Sequence, residues 1–206
     1  MKYSRMSVNF AVLWDLDGTL IDTTDLHVYA FIEALREMGY NANEEHAKAF
    51  RQRIGKRFVD IIKEIFPAMR EVEIERLKNI RRRIVLSRVD LIKPLPPSRL
   101  LPIVSSVCPT ALITSSNRQF TENILNHFKW RSYFDVVITG DDVKHGKPNP
   151  EPVLLTLKKL GVSRGVLIGD TEYDRLCAVN AGIMFLPADK ADDVLKILSS
   201  LDLRSS

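Results

Sequence analysis

The sequence predicts an α/β protein built on a doubly wound parallel sheet with an all-helical insertion, and three observations carry that reading. Five short apolar runs, Phe10 to Trp14, Ala111 to Thr114, Val136 to Thr139, Val166 to Gly169 and Met184 to Leu186, alternate with helical patterns. These runs are nearly continuous in hydrophobicity, as strands covered on both faces must be. Three of them end in polar residues suited to chemistry, Asp15, Thr114 and Asp170, where a parallel sheet opens its crevice. Such residues converge only if the first strand lies between the second and the fourth.

The first run leads into Asp15-Leu16-Asp17-Gly18-Thr19-Leu20. In an extended chain residues i and i+2 face the same way, so Asp15 and Asp17 can point into one crevice. Two unit charges about 4 Å apart at an effective dielectric near 20 repel by roughly 4 kcal/mol. The pair therefore needs a shared proton or a cation, and a hard divalent ion such as Mg²⁺ suits oxygen ligands. Residues 22–92 then read as helices only. His27, Ala30, Phe31, Ala34, Leu35 and Met38 form an amphipathic stripe that Gly39 stops, and further helices are predicted at about Glu44 to Gln52, Phe58 to Ile65 and Arg70 to Arg88. Lys93-Pro94-Leu95-Pro96-Pro97 reads as a stiff, extended return linker. The expected organisation is a core of residues 1–21 and 93–206 with a second unit of residues 22–92.

Beyond the linker come Leu112-Ile113-Thr114-Ser115-Ser116-Asn117, then Gly146-Lys147-Pro148, then Val166-Leu167-Ile168-Gly169-Asp170-Thr171-Glu172-Tyr173-Asp174. Taken singly, each has an ordinary structural use: a strand end with a helix N-cap, a solvated loop lysine, a strand-to-helix turn. In this order, and with the opening Asp-Leu-Asp-Gly-Thr-Leu, they resemble the four motifs of the haloacid dehalogenase-like (HAD) phosphohydrolase superfamily. The resemblance spans nearly the whole chain. It implies a HAD-type Rossmann-like core with an inserted helical cap, as in the phosphoglycolate phosphatase-like and β-phosphoglucomutase-like branch.

By that resemblance Asp15 is the nucleophile that takes a phosphoryl group and Asp17 the general acid and base. The Asp15 carboxylate, the Asp17 main-chain carbonyl and Asp170 would hold Mg²⁺, with Asp174 supporting that shell. Thr114 would bond the transferring phosphoryl oxygens and Lys147 would neutralise charge. Ser115 and Asn117 beside Thr114 are candidate substrate contacts. The chemistry asks for these residue types, because phosphoryl transfer needs mainly positioning and cationic stabilisation, and an aspartate nucleophile splits the displacement through an acyl phosphate.

Two features bear on substrate. Asp17 is present, whereas the dehalogenases that name the superfamily lack the second aspartate, and the fourth motif is similar to that of phosphoglycolate phosphatases. The expectation is a Mg²⁺-dependent phosphatase acting on a small, phosphoglycolate-like phosphomonoester; pyrophosphate would also fit. Asp22-Thr23-Thr24-Asp25-Leu26-His27, by contrast, resembles the hinge of the mutases and sugar phosphatases, with His27 at the place of its histidine, which keeps a phosphosugar mutase as the alternative, along with a non-catalytic HAD-fold module. His27 on its stripe also reads as a packing residue. In the insertion Arg51-Gln52-Arg53-Ile54-Gly55-Lys56-Arg57 sets cations around a glycine, and Gly55, Lys56 and Arg57 are candidate contacts for a second anionic group.

Composition excludes several classes. No apolar stretch approaches the roughly 18 residues of a membrane span, and Met1 to Asn9 has no apolar signal-peptide core, so the expectation is a cytoplasmic protein without a membrane partner. Cys108 and Cys177 stand alone, outside any zinc or disulfide spacing. The net charge of +4 is spread out: residues 22–92 hold 14 Lys/Arg against 12 Asp/Glu. The densest basic cluster, Arg81-Arg82-Arg83 with Arg76 and Lys78, reads as a solvated helix face, and no nucleic-acid motif accompanies it. A small phosphorylated metabolite is the expected partner, for a monomer or homodimer.

Overall fold

A strand that is buried on both faces must be apolar throughout, and β1 (Ala11–Trp14) is wholly buried along its length. The computed structural model describes residues 9–54 and 58–202. In chain order β1 is followed by β2 (Ile21–Asp22), the helices α1 (Thr24–Glu37), α2 (Glu44–Arg51), α3 (Phe58–Ile65) and α4 (Glu71–Ser87), and then β3 (Lys93–Pro94). The chain continues with α5 (Leu101–Val107), β4 (Thr110–Ile113), α6 (Arg118–His127), β5 (Val136–Ile138), α7 (Glu151–Leu160), β6 (Gly165–Gly169), α8 (Glu172–Asn180), β7 (Met184–Pro187) and α9 (Asp193–Asp202). It divides into two compact units, Met1–Asp22 with Pro94–Ser206, and Thr23–Lys93.

The first unit holds a five-stranded parallel sheet in the order β5-β4-β1-β6-β7. The first strand thus lies between the second and fourth of the five apolar runs, as convergence of their ends requires. Trp14 sits opposite both Leu112 and Ile168, so the residues just beyond β1, β4 and β6 share one edge of the sheet. Leu13, Ala111, Ile113 and Leu167 pack with Val153 and Leu157 of α7 and Cys177 and Ala178 of α8 on one face. The ribbon of β2 and β3 was not foreseen, because two residues are too short for periodicity to register. The return linker is extended only as far as Leu95: Pro96 opens a 3₁₀ turn over Pro96–Leu100. Proline's fixed φ suits the first turn of a helix as well as it suits an extended chain.

The second unit is helical. Phe31, Leu35, Phe50, Ile62 and Leu77 form the centre of its core, with Phe31 stacked on Phe50 at 4.3 Å. Helix α1 buries Leu26, Val28 and Ile32 as well as Ala30, Phe31, Ala34 and Leu35, so the predicted single stripe is too narrow. The helix packs against both α2 and α4, which leaves it little free face. Gly39, at φ +89°, terminates it, and the Tyr40 N–H closes back on the Leu35 carbonyl at 3.0 Å.

The basic cluster on α4 needs a correction. Arg82 and Arg83 are exposed, and Arg83 pairs with Glu37 at 2.5 Å. Arg81 is different: it follows Leu77 by one helical turn, lies half-buried, and places its guanidinium carbon 4.8 Å from the Phe58 ring centroid and 5.8 Å from that of Phe50. Successive residues on a helix point about 100° apart, so an arginine triplet cannot share one face. No helix among the described residues is long and apolar enough to cross a membrane.

Candidate active site

The site grows from the end of β1. The Asp15 N–H extends the ladder by one bond, to the Ile168 carbonyl at 2.9 Å. The chain then folds back, with the N–H groups of Leu20 and Ile21 donating to the Leu16 carbonyl and that of Gly18 to the Ile21 carbonyl. Gly18 makes this turn at φ +86°, and a Cβ there would lie 2.3 Å from Asp170 Oδ2. Only glycine meets both conditions. Gly18→Ala is therefore expected to displace Asp170, lower stability by about 1–3 kcal/mol and weaken divalent-cation affinity. Calorimetric Mg²⁺ titration beside a thermal melt checks this; unchanged affinity would show that Asp170 does not depend on the turn.

Lys147 reaches the site from the loop between β5 and α7. Its ammonium donates to Asp15 Oδ1 and to Asp174 Oδ1, both at 2.5 Å, and to the Ile113 carbonyl at 3.3 Å. The three side chains are almost fully buried, at 6% exposure for Lys147, 7% for Asp15 and 1% for Asp174. Asp174 is locked from its other side at the start of α8, where Oδ2 accepts from the Thr171 N–H at 3.1 Å and the Thr171 hydroxyl at 2.5 Å. Gly169 permits this close approach, since a Cβ there would fall 2.5 Å from Asp174 Cβ. Asp17 accepts a hydrogen bond on Oδ2 from the Ser116 hydroxyl at 2.8 Å, and Asp170 accepts one from the Thr19 hydroxyl at 3.2 Å.

Burial pushes the Asp15 carboxyl up to about 7; Lys147 works against that rise and Asp174 adds to it. For Lys147, burial acts to lower the pKa, but the two carboxylates outweigh it and hold the ammonium above its ordinary value. Burial also raises Asp170, opposed by the Thr19 hydrogen bond. Carboxylate oxygens of Asp15, Asp170 and Asp174 lie within 4.8 Å of one another. One ammonium faces three carboxylates, so the cluster carries excess negative charge in an all-oxygen donor set. That is the chemistry of a site for a hard divalent cation.

A cavity of about 360 Å³ opens over these groups, lined by Asp15, Asp17, Thr114, Ser115, Ser116, Lys147, Thr171, Tyr173 and Asp174. The structure thus gathers Asp15, Asp17, Thr114, Ser115, Lys147 and Asp174 around one space, with Asp170 at the carboxylate cluster. It does not gather Asn117, whose side-chain oxygen accepts from the Phe120 N–H at 2.9 Å as the N-cap of α6. The cap turns that oxygen back onto the helix. Ser116, Thr19, Thr171 and Tyr173 were missed. Ser116 and Thr19 stand inside the motif runs, but nothing in their spacing says that their hydroxyls bond carboxylates. Gly55, Lys56 and Arg57 lie outside the described residues. His27 belongs to α1 in the helical unit. Its Nδ1 is buried and has no hydrogen-bond partner, while burial and the Arg81 charge push its pKa down to about 3.

A family model described as haloacid dehalogenase-like hydrolase matches residues 12–188. The pyrophosphatase PpaX of Bacillus cereus is 29% identical, with 96% of this chain and 99% of that protein covered. The fructose-1-phosphate phosphatase YqaB of Escherichia coli is 29% identical, with 84% of this chain and 92% of that protein covered. In fold, a HAD-superfamily hydrolase of subfamily IA from Geobacter sulfurreducens superposes with a TM-score of 0.76 at 24% identity, covering 91% of this chain and 95% of that one. With the motif residues gathered at one sheet edge and the family match running through four of the five sheet strands and into the fifth, this chain belongs to the haloacid dehalogenase-like hydrolase family.

Proposed function

We propose that the protein is a Mg²⁺-dependent phosphatase that hydrolyses a small, phosphoglycolate-like phosphorylated metabolite through an aspartyl-phosphate on Asp15. One observation carries this reading: the buried Lys147 ammonium bound between Asp15 and Asp174, with Asp17 two residues from the nucleophile and facing the same cavity. A carboxylate oxygen of Asp15 attacks phosphorus, the bond from phosphorus to the leaving oxygen breaks, and Asp17 gives that oxygen its proton. Asp17 then takes a proton from water as the water displaces Asp15 from phosphorus. Lys147 balances charge on the nucleophile and on the phosphoryl oxygens, while Thr114 and Ser115 offer hydroxyls to orient them. Mg²⁺, held by Asp15, Asp170 and the Asp17 carbonyl with support from Asp174, would supply the remaining positive charge.

The names of the two curated relatives support hydrolysis of phosphoanhydride and phosphoester bonds and do not select one substrate. The test is inorganic phosphate release with Mg²⁺ across phosphoglycolate, pyrophosphate, fructose 1-phosphate, other hexose phosphates and nucleotides, with Asp15→Asn as the blank. EDTA is expected to stop release, added Mg²⁺ to restore it, and a zinc-selective chelator to do nothing. Silence on every compound, or release that survives in the variant, would overturn the reading.

A further inference from the structure

We propose that Ser116 is a positioning residue for the general acid and base Asp17, holding its carboxyl in the cavity through both halves of the reaction; this deepens the phosphatase reading and rests on it. The starting point is where the Ser116 hydroxyl goes. A serine just ahead of a helix ordinarily turns its hydroxyl onto nearby backbone, as a cap or a local turn. Here Asn117 is the N-cap of α6 and its side chain makes that bond, so the helix does not call on Ser116. The Ser116 hydroxyl donates instead to Asp17 Oδ2, 2.8 Å away, on the segment that follows β1.

The serine sits on a braced backbone. Its N–H donates to the Thr114 hydroxyl oxygen at 3.0 Å, and its carbonyl accepts from the Gly140 N–H at 2.9 Å. Gly140 comes that close because it has no side chain: a Cβ there would lie 2.6 Å from the Ser115 carbonyl oxygen. The Thr114 N–H in turn donates to the Ile138 carbonyl at 3.0 Å, so the ends of β4 and β5 fix the turn together. With both of its main-chain polar groups engaged, Ser116 delivers its hydroxyl from a fixed point.

Asp17 is the acidic side chain that gains from such a holder. Asp15 is buried and held by the Lys147 ammonium, whereas Asp17 lies beyond the end of β1, beside the Gly18 turn, and is half-buried. An aspartate has several staggered χ1 positions, and proton transfer needs the one that faces the leaving oxygen. A hydroxyl suits the task in both protonation states, because it can donate to Oδ2 whether or not Oδ1 carries a proton. In the first step the proton on Oδ1 passes to the leaving oxygen as its bond to phosphorus breaks. In the second, Oδ1 takes a proton from the water that attacks phosphorus and displaces Asp15. The bond from Ser116 persists through both.

The experiment follows kcat/KM for phosphoglycolate and methyl phosphate, which expel alkoxides, and for 4-nitrophenyl phosphate, which expels a stable phenolate. Each variant is compared with the wild type on the same compound, so differences in recognition cancel. Ser116→Ala is expected to lose about 30-fold on the two alkyl phosphates, the scale of one hydrogen bond to a charged group. On 4-nitrophenyl phosphate the loss should stay under about 3-fold, since that leaving oxygen needs little protonation. Ser116→Thr, which keeps the hydroxyl, should regain most of the alkyl-phosphate rate. Added to Asp17→Asn, Ser116→Ala should lower phosphoglycolate turnover no further, because its effect runs through Asp17. Equal losses on all three compounds, or a loss that persists beside Asp17→Asn, would overturn the role.

A measurement that needs no turnover separates this proposal from the catalytic one. Three-bond couplings of the Asp17 Hβ protons should report a single χ1 rotamer in the wild type and averaging in Ser116→Ala. Unchanged couplings overturn the positioning role even where phosphate is released. Averaged couplings, with no phosphate released by the wild type, leave Ser116 as the residue that holds Asp17 and sink the phosphatase reading.

Discussion

Asp15→Asn will remove phosphate release, by at least about 10⁴-fold in kcat, because an amide cannot form the acyl phosphate. The same substitution should make the metal-free protein more stable at neutral and alkaline pH. Asp15 is nearly fully buried, and its carboxyl is pushed up to about 7 by that burial. A folded pKa above the unfolded value means that the folded state holds more protons between pH 4 and 7, so stability falls as pH rises through that window. Above it the ionised Asp15 carries a penalty of at most about 4 kcal/mol. Asparagine does not titrate. Thermal melts in EDTA from pH 4 to 8 should show a decline for the wild type that is shallower in the variant. Parallel pH profiles would show that the buried charge is already balanced without a divalent ion. This is the stability penalty expected where a group is held for reactivity, and it is removed together with the reaction.

The sequence was most legible where one physical constraint fixes one residue type. The five strands fall on the five apolar runs, and the three central ones, β4, β1 and β6, are buried along their whole length because both faces of a parallel sheet must be covered there. The polar residues at their ends converge because register leaves no other edge for them. Legibility failed where a side chain has two competing uses. Asn117 stands next to the cavity residues in sequence, but the N-cap of α6 takes its oxygen. Arg81 looks identical to Arg82 and Arg83 in charge, yet its helical phase carries it under Phe50 and Phe58. The hydroxyl of Ser116 reaches Asp17 across 99 residues of chain, a contact that only the sheet order reveals.

Lys147→Met should damage both rate and stability, and the two losses should respond differently to Mg²⁺. The ammonium is the cation shared by Asp15 and Asp174, and none of the three side chains exceeds 7% exposure. Removing one member of a buried ion pair leaves an uncompensated charge, at a loss of about 3–5 kcal/mol. Here two carboxylates are stranded within reach of a third, Asp170. Their mutual repulsion should draw in a divalent cation, so Mg²⁺ should return a large part of the lost melting temperature. It should not return the rate. Lys147 supplies a fixed positive charge and hydrogen-bond donors from one side of the cavity, and their removal should lower kcat by about 10³-fold with Mg²⁺ saturating. Asp174→Asn added to Lys147→Met should recover stability, since it removes one of the stranded charges. A double-mutant cycle in EDTA reads that coupling directly. If the cycle closed without coupling, the short Lys147–Asp174 contact would be a geometric neighbour and not an energetic one, and Asp15 alone would have to hold the lysine in place.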